Sequence, residues 1–354
     1  MHNLQLTEDQ EMVVDTVRKL VADAVAPKVQ ELDEHRTFVR DWFDGLAELG
    51  VYGLSLTEDK GGAGMGLLPF TAALESIGEH SSSLARLWIG QAQCALALEA
   101  ADGGGGDGLL DEFAAGGKLG VFVGPEHGLT FAEGKLDGEA ELVPAAMQAD
   151  VLLVAARQGD EDVLVSVAAA DCSRTELQSL GLNSAGCGRV TCSAVAGTLV
   201  ATGEPATRAI QRAELVGWLG VAATAVGGGV GAHAMAKRHA GERIAFGKPL
   251  LVQQAVQRKL VECSRAIEAA RQLTWHAARV ADLGQDSVDA AIQARIAAVD
   301  AMVLSADESI QILGGFGYTV EYHVERHYRD GKTLEVLDHG SNRLRDRLAA
   351  MQFA

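Results

Sequence analysis

Asp338-His339-Gly340 sets a carboxylate beside an imidazole near the end of the stretch "SIQILGGFGYTVEYHVERHYRDGKTLEVLDHGSN" (Ser309–Asn342). Both side chains can take a proton: a carboxylate when its surroundings tune it, an imidazole above about pH 6.5. Earlier in the same stretch Gly314-Gly315, then Gly317, interrupt an amphipathic run, and Arg329-Asp330 follows. Glycine lets a backbone approach a neighbour where a Cβ would collide. The spacing therefore suggests a proton-moving pair that follows a place of close backbone approach.

Such residues need elements to hold them. Thr7 and Gln10 have the spacing of a capping box, and Val13, Val17, Leu20, Val21 and Val25 follow at helical period. "LAELGVYGLSLTEDKGGAGMG" reads as a helix end, a short extended piece and a glycine-rich turn, and "LLPFTAALESIGEH" starts another helix. From Gly120 to about Thr207 the runs "GVFV", "DVLLVAA", "EDVLVSVAAA", "RVTCSAV" and "GTLVATG" are short, rich in Val and Leu, and punctuated as strands are. From Arg208 three long helical patterns return. The glycines of Asp102–Gly108 lack the Gly-Lys-Ser/Thr ending of a phosphate loop and read as a connection.

Composition narrows the function classes. With 48% hydrophobic and 22% charged residues in 354, the chain reads as soluble and globular, with room for two or three domains. A formal charge of −18 argues against nucleic acid as a partner. By this reading no apolar run approaches the roughly 20 residues of a membrane span, and the N-terminus lacks a signal pattern. A cytoplasmic location, no membrane partner and no metal are expected. The five cysteines are odd in number and scattered, which suggests reduced thiols.

The motifs together resemble the acyl-CoA dehydrogenase family of flavoproteins. "ERIAFGKPLLVQQAVQRKL" is similar to its Arg-x-x-Phe-Gly…Gln segment, "IQILGGFGYTVEYHVERHYRD" to its Gln-x-x-Gly-Gly-x-Gly-Tyr…Arg-Asp signature, and "LAELGVYGLSLTEDKGGAGMG" to its N-terminal helix-to-turn motif. The resemblance implies a mostly α fold with a middle β domain. Its parts would be an N-terminal helical domain (1–119), a shortened β-barrel or sandwich (120–207) and a C-terminal four-helix bundle (208–354). It implies FAD, a homodimer or homotetramer in which a neighbouring subunit completes each flavin site, and an acceptor such as electron transfer flavoprotein. It also implies dehydrogenation of an acyl thioester between Cα and Cβ.

Carried over by residue, the family pattern assigns Arg243 to the FAD pyrophosphate, where a guanidinium fork suits phosphate oxygens. Phe246 would pack nearby, and Gln254 and Gln311 would reach polar atoms of the cofactor. Gly314 and Gly315 would permit close approach, and Gly340, Ser341 and Asn342 resemble the stretch that contacts the adenosine side. Backbone N–H groups near Val123 and Gly124 stand in for a missing hydroxyl donor. "GPEHGLTF" replaces the usual Thr-Glu-Pro turn, and Leu142-Val143-Pro144 replaces the usual Trp-Ile-Thr strand, so an aromatic wall is expected to be absent.

Three residues are candidates for the catalytic base. Asp338 falls at the family's usual Glu when counted from Arg329-Asp330, and His339 falls there when counted from Gly340. Glu214 lies in the earlier helix from which a minority of the family takes its base. The trimmed β domain suits a short or polar acyl group, similar to the branch that acts on acyl carrier protein (ACP) in polyketide extender-unit biosynthesis, such as hydroxymalonyl. A basic patch of Arg343, Arg345 and Arg347 could meet the carrier. Catabolic acyl-CoA oxidation and a non-catalytic subunit are the alternatives.

Overall fold

The structure, a computed structural model, describes residues 4–38, 40–101, 106 and 108–353. Most of the Asp102–Gly108 connection lies outside the described residues. Six helices come first: α1 (Glu8–Leu20), α2 (Val29–Glu34), α3 (Arg40–Glu48), α4 (Leu67–Gly78), α5 (Ser82–Ala101) and α6 (Leu109–Ala115). The capping box forms as the sequence suggests. Thr7 Oγ1 accepts from the Gln10 N–H at 3.3 Å, and Gln10 Oε1 accepts from the Thr7 N–H at 3.0 Å.

An eight-stranded sheet follows, in the order β6-β7-β3-β2-β4-β5-β8 with β1 parallel to β4. Its strands are β1 (Gly120–Val123), β2 (Thr130–Ala132), β3 (Lys135–Val143), β4 (Val151–Gln158), β5 (Glu161–Ala168), β6 (Ser173–Glu176), β7 (Gly188–Ala196) and β8 (Thr198–Thr202). Central β4 is buried along its first six residues because both of its faces are covered. Cys172 and Cys192 flank the β6–β7 pair with their sulfurs 3.3 Å apart, and all five cysteines are free and buried.

The C-terminal segment contains α7 (Glu204–Glu242), α8 (Gln254–Asp282), α9 (Val288–Leu313), α10 (Val324–Val336) and α11 (Gly340–Phe353), with a small hairpin of β9 (Ile244–Ala245) and β10 (Lys248–Pro249) between α7 and α8. α7 corrects one expectation. It is long and apolar enough to cross a membrane, yet 94% of its apolar window is buried within the protein. A helix apolar on every side suits such a core position. Its glycines let neighbours pack close: a Cβ on Gly227 would lie 2.0 Å from the Glu75 carbonyl oxygen, and one on Gly220 would lie 2.6 Å from Ile89.

Polar contacts lock the three segments together. Asp282 at the end of α8 accepts from the Leu67 and Leu68 N–H groups at 2.6 and 3.0 Å, capping α4. The Arg329-Asp330 pair of α10 is a three-way tie. Arg329 meets Asp33 of α2 at 2.5 Å, and Asp330 accepts from the Leu182 N–H at 2.7 Å. Gly181 is required beside it, since a Cβ there would sit 2.4 Å from the Arg329 backbone. Burial raises the Asp330 pKa to about 6, despite the nearby Arg326 guanidinium.

Candidate active site

α10 stops at Val336 because Leu337 turns extended, and the next three residues are left-handed: Asp338 (φ 48°), His339 (φ 73°) and Gly340 (φ 70°). Left-handed backbone is unfavourable by roughly 1–2 kcal/mol for an ordinary L-residue, less for Asp. Something must hold the turn. Arg295 of α9, fully buried, does so by donating to the carbonyls of Leu334 at 3.2 Å and of Leu337, with Ser341 Oγ at 3.5 Å. Burial lowers the Arg295 pKa to about 10, which still leaves the group charged at neutral pH. The strain therefore sits where Asp338 and His339 are presented, as strained backbone at functional sites does.

Both side chains face a cleft of about 310 Å³ between the sheet and the C-terminal helices. It is lined by Arg86 of α5, by Phe122, Gly124, Glu126 and His127, by Glu141, Leu142, Val143 and Pro144, and by Val336 to His339 with Arg343. Its volume lies at the low end of ligand pockets, roughly 300–1,000 Å³.

Asp338 and His339 are both paired in this cleft. Asp338 Oδ1 accepts from Arg86 Nη2 at 2.8 Å, with the Arg86 side chain only 5% exposed. His339 Nε2 lies 2.6 Å from Glu214 Oε1 and 3.6 Å from Glu126 Oε2. Burial alone would lower the His339 pKa, but the Glu214 hydrogen bond and the Glu126, Glu214 and Asp338 charges outweigh it and raise the pKa. Glu126 is pushed up, first by burial and then by the Asp338 charge. Gly124 makes room for that carboxylate, because a Cβ there would lie 2.1 Å from Glu126 Oε2. Behind His339, Arg347 reaches Glu214 at 3.5 Å and lies over the Trp218 ring at 4.8 Å.

The fold thus gathers all three candidate bases at one point, in distinct positions. Asp338 and His339 line the cleft; Glu214 stands behind His339, with its side chain 9% exposed. Several expectations change. Phe122 supplies an aromatic side chain to a wall where none was expected, while buried Val123 beside it is not part of the lining. The suggested basic patch is divided: Arg345 pairs with Asp300 at 2.8 Å, Arg347 turns inward to Glu214, and Arg343 alone lines the cleft. Arg86 and Arg295 were missed; each sits in a run that reads as ordinary helix, and neither has a neighbouring signal in sequence.

The remaining candidates form a second group far from the cleft. Arg243 follows Glu214 by 29 positions along and just beyond α7, about 44 Å at helical rise. Arg243, Phe246, Gln254, Gln311, Gly314 and Gly315 are all exposed, Phe246 at 97%. Open space surrounds Gly314 and Gly315, so their close-approach role has no counterpart within one chain. Gly317 does meet that condition, since a Cβ would lie 2.5 Å from the Ile310 carbonyl oxygen. Beside the cleft, Ser341 is buried, Asn342 is exposed, and left-handed Gly340 begins α11.

Residues 7–105 match the acyl-CoA dehydrogenase N-terminal domain and residues 208–352 the acyl-CoA dehydrogenase C-terminal domain. The chain is 30% identical over 385 residues to cyclohex-1-ene-1-carbonyl-CoA dehydrogenase of Geobacter metallireducens, covering 96% of each. It is 27% identical over 370 residues to the human mitochondrial short-chain specific acyl-CoA dehydrogenase, covering 95% of this chain and 88% of the relative. Butyryl-CoA dehydrogenase from Megasphaera elsdenii has the same fold, with a TM-score of 0.90 at 23% identity and full coverage of both chains. The chain belongs to the acyl-CoA dehydrogenase family, FAD-dependent oxidoreductases that act on the CH–CH bond of acyl thioesters.

Proposed function

We propose that this chain oxidises a short, polar acyl group held as a thioester on acyl carrier protein, in the making of polyketide extender units such as hydroxymalonyl. The observation that carries this reading is the polar lining of the cleft: Glu126, Glu141, Asp338, Arg86 and Arg343 around about 310 Å³. A long aliphatic tail would have to desolvate those groups without pairing them. Thioesters of coenzyme A are the second reading, favoured by the names of the relatives, whose substrates are CoA esters.

In this scheme Asp338 takes the proton from Cα, because it lines the cleft from a rigid turn. Glu214 and His339 form a hydrogen-bonded pair that holds the other half of that turn. The residues that hold FAD come from two copies of the chain. Gly340, Ser341 and Asn342, next to the cleft residue His339, and the backbone near Val123, next to the cleft residues Phe122 and Gly124, come from one. Arg243, Phe246, Gln254, Gln311, Gly314 and Gly315 reach in from the other, their exposure in a single chain supporting this division. The bound FAD supplies the hydride acceptor. An electron transfer flavoprotein then takes the electrons.

Anaerobic mixing of the FAD-loaded protein with short polar acyl groups, on ACP and on CoA, tests the reading. Loss of the oxidised-flavin band with ACP thioesters is expected. Bleaching by long-chain acyl-CoA alone would reject it.

A further inference from the structure

Arg86 is bonded less fully than a buried guanidinium normally is. Its side chain is 5% exposed, and Nε and Nη1 are buried without any partner. Only Nη2 is paired, with Asp338 Oδ1 at 2.8 Å, and the second Asp338 oxygen is itself buried and unpartnered. Leaving buried donors and acceptors unmade is costly, about 1–3 kcal/mol for each group and more when charged. A one-point contact also wastes the geometry, since a guanidinium offers two parallel N–H groups to a carboxylate. The pair lies in the wall of the cleft that the acyl group enters.

We propose that Arg86 is the receptor for a carboxylate on the acyl group, and that Asp338 occupies that receptor only until the ligand arrives. This rests on the proposed function and specifies its substrate class: thioesters of acids that bear a second, free carboxylate. The incoming carboxylate takes the guanidinium fork, and Asp338 swings free to face Cα. An acyl group without the carboxylate leaves Asp338 bonded to Arg86 and not free to face Cα. The exchange couples recognition to the availability of the base.

The other charged groups around Arg86 fit this exchange. Glu126 carries a pKa raised first by burial and then by the Asp338 charge, and it lines the same cleft. Arg343 places further positive charge on the same cleft, which His339, its pKa raised, also lines. Glu141, which also lines the cleft, is paired with Arg189 at 2.6 Å.

Equilibrium binding to the FAD-loaded protein tests the exchange without relying on turnover. The probes are succinyl and glutaryl thioesters against their uncharged counterparts, butyryl and pentanoyl, on pantetheine, CoA and ACP. The wild type is expected to bind the acidic member of each pair about 10- to 100-fold more tightly. Arg86→Met removes that preference. Asp338→Asn has the opposite effect and strengthens acidic binding, because the competing carboxylate is gone. Arg86→Lys, which keeps the charge but not the fork, retains only part of the preference and covers the case in which Arg86→Met does not fold. Equal binding of acidic and neutral probes by the wild type overturns the proposal. So does weakened acidic binding in Asp338→Asn. Tight acidic binding without flavin bleaching would leave this inference standing and reject the dehydrogenase reading instead.

Discussion

Glu214 Oε1 lies 2.6 Å from His339 Nε2, joining the first third of the 39-residue α7 to the strained turn that carries the candidate base. The contact makes His339 more basic than a free imidazole, against the opposing effect of burial. A raised folded-state pKa contributes stability that is fully present below the unfolded value, about 6.5, and is lost as pH rises through the folded value. Glu214→Gln should therefore destabilise the protein most on the acid side of that window and least above it. Melting temperatures across pH 5.5–9 check this. A loss of equal size at every pH would show that the pair is not charge-coupled.

Arg295 is the buried clamp on the same turn, bonded to the carbonyls of Leu334 and Leu337. Arg295→Met fills the space but orphans both carbonyls, and a loss of about 2–4 kcal/mol is expected. In a domain of about 150 residues or more each kcal/mol lowers Tm by about 2–4 °C. Thermal unfolding measures it. Activity should fall further than stability accounts for, since the turn loses its left-handed shape.

The fold class is legible in the sequence because its signals are local. A capping box at Thr7 and Gln10, short Val-rich runs, and long Ala-rich helical patterns each specify their own element. The site was legible only where its residues are neighbours in sequence. Asp338 and His339 stood out together, whereas Arg86 lies 252 residues from its partner in an alanine- and leucine-rich helix. Phe122 was overlooked for a similar reason: a strand residue reveals its face only when the pairing with β4 is known. The exposed group around Arg243 was recognised from its motif, but one chain gives it nothing to bind.

Two copies of the chain are required if Arg243 and Asp338 serve one cofactor. Arg243→Ala and Asp338→Asn should each be inactive as pure proteins, the first through FAD loss and the second through loss of the base. Co-expressed and purified as mixed oligomers by two tags, they should regain part of the activity. Some sites then combine an intact cleft with an intact Arg243. No recovery in verified mixed oligomers would mean that each site is built within one chain.

The central claim is that Asp338 removes the proton that starts dehydrogenation. Its most direct test is anaerobic mixing of FAD-loaded wild type and Asp338→Asn with the thioester that the wild type oxidises, followed by visible absorbance. The wild type should bleach the oxidised-flavin band. The variant should retain FAD and bind the thioester, yet keep that band. Bleaching by Asp338→Asn at the wild-type rate would contradict the claim and move the base elsewhere in the cleft.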